Sequence, residues 1–250
     1  MALGKFFVLI SIFFLTSVVS VVTGSTSLIT VPLMIAMGIE PHVAVATNMM
    51  ALIFMSAGGS LPFARKGVIE RRLLPVSIGL TVVGSGIGAL LLLRIPTRAL
   101  QLTIVVAMIA VAVFSLLKRD YGSTELPVSD NRTITGYVIT FALAVYGGFF
   151  SGGYVTMLTA VFVVFFGLTF LRSVATTKVI NIFSSAVAMA VFAWRGIVDY
   201  KLGIVLGMTM FVGALIGGQV ALRLPGVWLR WVFLIAVVGL AAKMLFAFLR

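Results

Sequence analysis

The sequence predicts an all-α membrane protein that crosses the bilayer several times and is built from two tandem repeats. Hydrophobic residues make up 62% of the chain and charged residues only 10%, and the mean hydropathy is +1.25. Soluble proteins carry about a quarter charged residues. The second half also repeats the first at a constant offset of 129 residues: residues 24–118 and 153–247 share 26 identities in 95 ungapped positions. Tandem repeats in a hydrophobic chain are typical of transporters whose site lies between related halves.

The informative matches of this repeat involve glycine, proline, arginine and threonine, because shared Leu and Val are frequent by chance in apolar sequences. These matches are Gly24/Gly153, Thr47/Thr176, Gly67/Gly196, Gly84/Gly213, Gly88/Gly217, Arg94/Arg223 and Pro96/Pro225. The repeat divides the chain into a first transmembrane half (1–117), a polar linker (118–132) and a second transmembrane half (133–250).

Each half contains four apolar segments that are long enough to cross a bilayer as helices, which takes about 20 residues. These segments are 4–22, 43–64, 73–93 and 98–117, and then 133–151, 172–194, 202–222 and 228–249. The first segment follows Lys5 and also resembles a signal peptide. Its counterpart in the second half is internal, so we expect the first helix to belong to the mature fold.

Two further apolar segments are too short to span the membrane as helices. Residues 25–37 and 154–166 hold about thirteen residues each, which as a helix reach roughly 20 Å against an apolar core of about 30 Å. Each begins after glycine and small polar residues and ends at Gly38 or Gly167. We interpret them as short, broken helices that enter the membrane and turn back, which persist at membrane depth only inside protein or beside a polar cavity.

The basic residues bear on the topology. If the short segments re-enter, the halves run parallel and the basic residues divide 12 to 5 between the two sides. If the short segments cross, the halves are inverted and the division is 10 to 7. The positive-inside rule favours the first scheme, with both termini in the cytoplasm. Inverted repeats are nevertheless common in transporters, so the second scheme stays open.

Lys178 is the most informative single residue, because it lies six residues past Arg172, inside a segment that is otherwise apolar or small and polar. A cation near the middle of a membrane costs at least a few kcal/mol unless it is solvated or paired. No Asp or Glu lies in any predicted span, so an anionic substrate would complete the site. The alternative is that the Lys178 side chain extends along its helix to the interface.

Small polar residues recur beside Lys178 and at the start of the short segments. Hydroxyls and amides can donate to anion oxygens, and glycine-rich helix N-termini expose backbone N–H groups with partial positive charge. The alternatives are hydrogen bonds between helices and close glycine packing, which also explains Gly84 and Gly88. The candidate substrate-binding residues are Gly24, Ser25, Thr26, Ser27, Thr47, Asn48, Gly152, Gly153, Thr176, Thr177, Lys178 and Asn181.

The composition argues against an enzyme. With a single histidine (His42), no cysteine and no acid in the spans, neither a metal cluster nor a nucleophile with its base can be assembled, and we expect no catalytic residue and no cofactor. The net charge of +12 comes from basic residues at the ends of apolar segments, where they fix topology and meet anionic lipid. We therefore expect lipid contacts and no nucleic-acid partner, and the sequence leaves a homo-oligomer open.

The chain resembles the TauE/SafE sulfite exporter family. The residues that carry the resemblance are the stretch from Gly24 to Pro32, Ala44-Val45-Ala46-Thr47 and Gly67-Val68 in the first half, and Ser173 to Asn181, Gly196 to Tyr200 and Gly213 to Gly217 in the second. The chain departs from the usual family pattern at Ser25, Thr26 and Ser27, where a denser glycine run is typical, and at Ser173, where alanine is more frequent.

This resemblance implies export of small sulfur oxyanions such as sulfite, or of organosulfonates such as sulfoacetate. We expect a secondary transporter in the bacterial cytoplasmic membrane with its anion site between the halves near the midplane. A passive anion channel and a non-transporting membrane scaffold are the alternatives. The coupling ion and the direction of transport stay open, although the membrane potential on one charge, about 2.3 kcal/mol per 100 mV, is enough to drive anion export.

Overall fold

The structure, a computed structural model, describes residues 3–24, 26–117 and 129–223. Those residues form nine α-helices, joined by short connections, and no strand. The helices are α1 (Leu3–Thr23), α2 (Ser27–Ala36), α3 (Pro41–Arg65), α4 (Leu74–Leu92, preceded by a 3-10 turn at Arg71–Leu73), α5 (Thr97–Leu117), α6 (Asp130–Phe149), α7 (Tyr154–Phe166), α8 (Phe170–Trp194) and α9 (Tyr200–Ala221).

The predicted all-α, multi-pass class is confirmed. Within the described residues, four helical segments are long and apolar enough to cross a membrane: Pro41–Arg65, Arg71–Leu92, Phe170–Trp194 and Tyr200–Ala221. The predicted first, fourth and fifth spans form α1, α5 and α6, and the two short segments form α2 and α7. The predicted span at 228–249 and most of the linker lie outside the described residues.

The backbone conformation follows the 129-residue offset. α3 and α8 have 25 residues each, and their bounds differ by 129 at both ends. All six residues with positive φ in the described chain are glycines, and they form three offset pairs: Gly24/Gly153, Gly38/Gly167 and Gly67/Gly196. Positive φ suits glycine, which has no Cβ. The chain therefore turns in the same way before and after each short helix and after each long central helix.

α3 and α8 are antiparallel. The connection after α3 contacts the beginning of α8, since Glu70 N donates to Thr176 Oγ1 (2.9 Å) and the Glu70 carboxylate pairs with Arg172. The equivalent connection after α8 contacts the beginning of α3, where Asp199 N donates to Thr47 Oγ1 (3.1 Å). Each helix thus ends where the other begins, and the two halves run in opposite directions.

The parallel arrangement favoured by the basic residues is therefore wrong. α9 runs parallel to α1, because Gly213 and then Gly217 approach Phe14 and then Val18, and it also runs parallel to α3. Since α1 and α3 point the same way, the segment between them, which contains α2, returns the chain across the protein. It counts as a crossing although its helix has only 10 residues, so the 10-to-7 division applies.

The halves are interleaved. α4 packs against α6 and α8, while its equivalent α9 packs against α1 and α3. Close approach depends on glycine: a Cβ on Gly88 would overlap Val145 O, and one on Gly217 would overlap Val18 O. The interpretation of these glycines as packing residues agrees with the structure. The boundaries of the halves stay a prediction, because residues 118–128 are not among the described ones.

The antiparallel arrangement predicts that single cysteines at Lys66 and Arg195 are labelled from opposite sides of the membrane. These residues are an offset pair, they follow the ends of α3 and α8, and both are exposed. The natural chain has no cysteine, so Lys66→Cys and Arg195→Cys need no cysteine-free background. Labelling of right-side-out and inverted vesicles with an impermeant maleimide measures the side. Reaction of both cysteines from the same side would contradict the arrangement.

Candidate functional site

The beginnings of the two short helices meet inside the protein. A Cβ on Gly24, before α2, would lie 2.9 Å from Thr156 N and 3.1 Å from the Val155 carbonyl carbon, both in the first turn of α7. Thr26 Oγ1 donates to the sulfur of Met55 (3.1 Å), which lies close to the middle of α3. The N-terminal ends of α2 and α7 are therefore adjacent at mid-depth, and we call this region the helix junction.

The glycines of the second half belong to the same junction. Gly153 is the N-cap of α7 and has φ +81°, and a Cβ on Gly152 would lie 2.6 Å from Leu28 Cδ2 on α2. Tyr146 OH donates to Gly152 O and fixes the turn from α6. Ser25 lies outside the described residues. Both turns thus hold a short-helix N-terminus against the other half, and such ends favour negative charge.

Lys178 is buried beside the helix junction. The residue is 2% exposed, and its Nζ donates to Ser20 O (3.1 Å) in the last turn of α1. The same carbonyl accepts from Gly24 N (2.8 Å). The alternative in which Lys178 extends to the interface does not match this geometry, because the side chain points inward to the turn that precedes α2.

The carboxylates of the described chain all lie at helix ends or in connections. Glu40, Asp130 and Asp199 are at the starts of α3, α6 and α9, and Glu70 precedes the 3-10 turn before α4. Within the described residues Lys178 has no ion-pair partner. A buried ammonium held by one main-chain carbonyl is poorly compensated, and an anion at the junction would complete it.

The amides of Asn48 and Asn181 join the central helices to their neighbours. Asn48 accepts from Thr30 Oγ1 (2.7 Å) and donates to Ser27 Oγ (2.9 Å), both on α2. Asn181 Nδ2 donates to Ser56 Oγ (2.7 Å) on α3, and its Oδ1 has no partner in the described structure. Asn48 therefore holds α2 in place, while Asn181 retains an unpartnered acceptor oxygen, which suits a water molecule and not an anion.

Thr177 repeats the role of Asn48 in the second half. Its Oγ1 lies 3.1 Å from Thr159 Oγ1 on α7, and Thr159 is the offset equivalent of Thr30. Thr177 also donates within its own helix to Ser173 O (2.9 Å). Its contacts attach the short helix to the central helix, which is the inter-helix interpretation of these hydroxyls.

The structure does not bring Thr47 and Thr176 to the helix junction. Both side chains accept from backbone N–H groups of the inter-helix connections, as described above, and Thr176 also donates to Arg172 O (2.7 Å). Their recurrence in the two halves reflects the docking of equivalent connections onto equivalent helices. We do not include them in the site proposed below.

Sequence reasoning missed Ser20 and Tyr154. Ser20 supplies the carbonyl that binds Lys178, and its own hydroxyl is buried without a partner among the described residues. Tyr154, the first residue of α7, is fully buried, and its hydroxyl lies near those of Thr81 and Ser184. Neither could be found from the repeat, because their offset equivalents are Phe149 and Ser25. Thr30 and Thr159 could have been found, since they are an identical offset pair.

His42 and Glu40 lie at the outer end of α3. Burial raises the pKa of the Glu40 carboxyl, but hydrogen bonds from His42 and Val43 N together lower it below its ordinary value. Glu40 therefore stays ionised at neutral pH, and the stability from its cap of α3 is lost only as pH falls through that lowered pKa. His42 Nε2 contacts Ile95 O (3.0 Å), so both residues fasten a helix end.

Gly24→Ala should destabilise the protein more than Gly67→Ala. Both glycines have positive φ (77° and 66°), so alanine meets the same backbone strain of about 1–2 kcal/mol at either position. Only Gly24 has a neighbour within 4 Å of an added Cβ, namely the start of α7. Melting temperatures in detergent measure the difference, and equal values would contradict the close contact at the junction.

A family model described as "Sulfite exporter TauE/SafE" matches residues 9–244. The chain belongs to the TauE/SafE family. The resemblance inferred from the paired motifs is thereby confirmed over nearly the whole sequence.

Curated relatives of this chain are named as probable membrane transporters. The chain is 28% identical over 237 residues to the "Probable membrane transporter protein ORF9" of a Sinorhizobium species, covering 93% of this chain and 89% of the relative. It is 26% identical over 245 residues to the "Probable membrane transporter protein YfcA" of Escherichia coli K12, covering 96% and 89%. No solved structure matches the chain significantly. Family and relatives together support a multi-pass membrane transporter.

Proposed function

We propose that this TauE/SafE protein is a secondary transporter that exports a small sulfur-containing anion, sulfite or an organosulfonate, across the bacterial cytoplasmic membrane. The observation that carries the proposal is the buried Lys178 ammonium at the helix junction, with a main-chain carbonyl as its hydrogen-bond acceptor. The family description supplies the sulfur oxyanion, and the charge at the junction supplies the sign of the solute.

The bound anion replaces Ser20 O as the partner of Lys178. In that position it also meets the unpartnered Ser20 hydroxyl and the N-terminal ends of α2 and α7, where the helix dipoles favour negative charge. Ionised partners make such hydrogen bonds about twice as strong as neutral ones. The site therefore offers one full charge and several neutral donors, which suits a compact oxyanion.

Transport follows from the antiparallel halves. In inverted-repeat transporters the site stays near the midplane while the halves move relative to one another, exposing it to each side in turn. The membrane potential favours movement of an anion out of the cell, by about 2.3 kcal/mol per 100 mV for one charge. Export of a monovalent anion thus needs no carboxylate proton relay.

The test measures anion binding to the purified protein through the change in its melting temperature. Sulfite, sulfoacetate, taurine, sulfate and chloride are compared on the native chain, on Lys178→Met and on the control Lys201→Met. Methionine is chosen because Met49 is the offset equivalent of Lys178 in the first half. Lys201 serves as the control because it is an exposed lysine at the start of α9. An anion at 100 times its Kd stabilises the folded state by about 2.7 kcal/mol.

We expect sulfite or sulfoacetate to raise the melting temperature of the native chain and of Lys201→Met, and to have no effect on Lys178→Met. A shift that survives in Lys178→Met would remove Lys178 from the site. No shift with any of the anions at millimolar concentration would contradict the proposal and favour a different solute or the scaffold alternative.

A further inference from the structure

A line of buried hydroxyls leads from one face of the protein to the helix junction. Ser77, Thr81 and Ser85 follow one another at four-residue spacing on α4, so they lie on one face of that helix, and all three are fully buried. Ser85 Oγ lies 2.7 Å from Ser184 Oγ on α8, and the hydroxyl of Tyr154 lies near Thr81 and Ser184. We call these five residues the hydroxyl column.

The hydroxyl column contains polar atoms that the protein leaves without partners. The Ser77 hydroxyl is buried and forms no hydrogen bond within the described residues. The hydroxyls of Thr81 and Tyr154 have no partner there beyond one another and Ser184. Membrane helices often satisfy Ser and Thr through the carbonyl four residues earlier, as Thr140 does here, but Ser77 and Thr81 do not. A buried hydroxyl without a hydrogen-bond partner is unfavourable, and water is the ligand that removes this cost.

The equivalent line in the second half is apolar. The offset equivalents of Ser77, Thr81 and Ser85 are Leu206, Met210 and Ala214 on α9, which are also fully buried. Helix geometry alone therefore does not require hydroxyls on this face. The difference marks the α4 side as the polar side of an otherwise symmetric arrangement.

The column has one outer and one inner end. α4 and α8 begin on the same face, since Glu70, just before the 3-10 turn leading into α4, pairs with Arg172 at the start of α8. Ser77 lies one turn inside α4 from that face. At the other end, Tyr154 is the first residue of α7, whose first turn contacts Gly24 at the helix junction.

We infer that the hydroxyl column is a water-filled access path from the face that carries the α3–α4 connection to the helix junction. That connection holds Arg65, Lys66, Arg71 and Arg72, and its face has the larger share of basic residues in the antiparallel scheme, so the path opens to the cytoplasm. Its use by the exported anion rests on the proposed function. The hydration of the path does not.

Cysteine labelling tests the path in the naturally cysteine-free chain. Ser77→Cys and Thr81→Cys are compared with the matched apolar positions Leu206→Cys and Met210→Cys, using a small, impermeant methanethiosulfonate reagent on vesicles of each orientation. Lys66→Cys identifies the face of the α3–α4 connection. The melting temperature of each variant shows that it is folded, and Ala214→Cys replaces any apolar variant that is not.

We expect Ser77→Cys and Thr81→Cys to react at least about ten times faster than the apolar controls, and only from the side on which Lys66→Cys reacts. The inference would be overturned by equal rates for the hydroxyl positions and the apolar controls, by no reaction at Ser77→Cys and Thr81→Cys, or by reaction from the opposite side. Sulfoacetate separates the two proposals: slower labelling of Thr81→Cys places the anion in the path. Unchanged labelling removes the anion from the path and leaves the hydrated path supported.

Discussion

Lys178→Met strongly reduces transport of the anion at substrate concentrations that half-saturate the native protein. In proteoliposomes loaded with sulfite or sulfoacetate, we expect the apparent affinity to fall about 30-fold or more, because removing one partner of a buried, hydrogen-bonded charge pair costs at least about 2 kcal/mol. Lys178 is the charged group described at the helix junction, and Met49 occupies the equivalent position in the first half without a charge.

Stability separates this effect from a folding defect. In the anion-free protein Lys178 is a buried charge with a carbonyl acceptor and no carboxylate partner among the described residues. Replacing such a group by an apolar side chain of similar volume is often neutral or stabilising. The anion-free melting temperature of Lys178→Met should therefore equal or exceed that of the native chain. Transport at the native rate by this variant would contradict the role of Lys178.

Gly88→Ala prevents close packing of α4 against α6 and is the second large effect. The added Cβ would overlap Val145 O and lie 2.7 Å from Phe149 N, and both are backbone atoms that cannot rotate away. Overpacking of this kind costs about 1–3 kcal/mol. Because α4 and α6 belong to different halves, the substitution separates the halves rather than loosening one helix.

Gly79→Ala is the matched control on the same helix. A Cβ on Gly79 meets nothing within 4 Å, and replacing glycine by alanine in a helix interior gains about 0.5–1 kcal/mol. Melting temperature and the monodisperse yield in detergent should fall for Gly88→Ala and stay level or rise for Gly79→Ala. Similar values for the two variants would show that α4 and α6 are not in close contact at Gly88.

The sequence was sufficient for the helices but not for their directions. Apolar length and glycine punctuation predicted α1 to α9 with small differences in bounds, and the short helices α2 and α7 were identified because they lack the length to span. The direction of the second half depends on whether the segment holding α2 returns the chain, which its 10 helical residues do not reveal. The basic residues favoured the wrong scheme, because they lie at both faces and divide 12 to 5 in one scheme and 10 to 7 in the other, which is too small a difference to fix the direction.

The candidate site shows a second limit of sequence reasoning. Identical offset pairs such as Thr47 and Thr176 proved to dock the connections, because a repeated packing needs the same residue twice. The polar atoms near the helix junction come largely from positions where the halves differ. The offset equivalents of Lys178, Asn181 and Ser184 in the first half are Met49, Leu52 and Met55. Asymmetry within the repeat is therefore the better indicator of a site in this chain.

The location of the bound anion tests the account most directly. Selenite is a pyramidal oxyanion like sulfite, and its selenium scatters anomalously. If selenite raises the melting temperature of the protein, crystals grown with it can show where the anion binds. The account predicts an anomalous peak within hydrogen-bonding distance of Lys178 Nζ, between the N-terminal ends of α2 and α7. A peak elsewhere, with Lys178 still bound to Ser20 O, would contradict it.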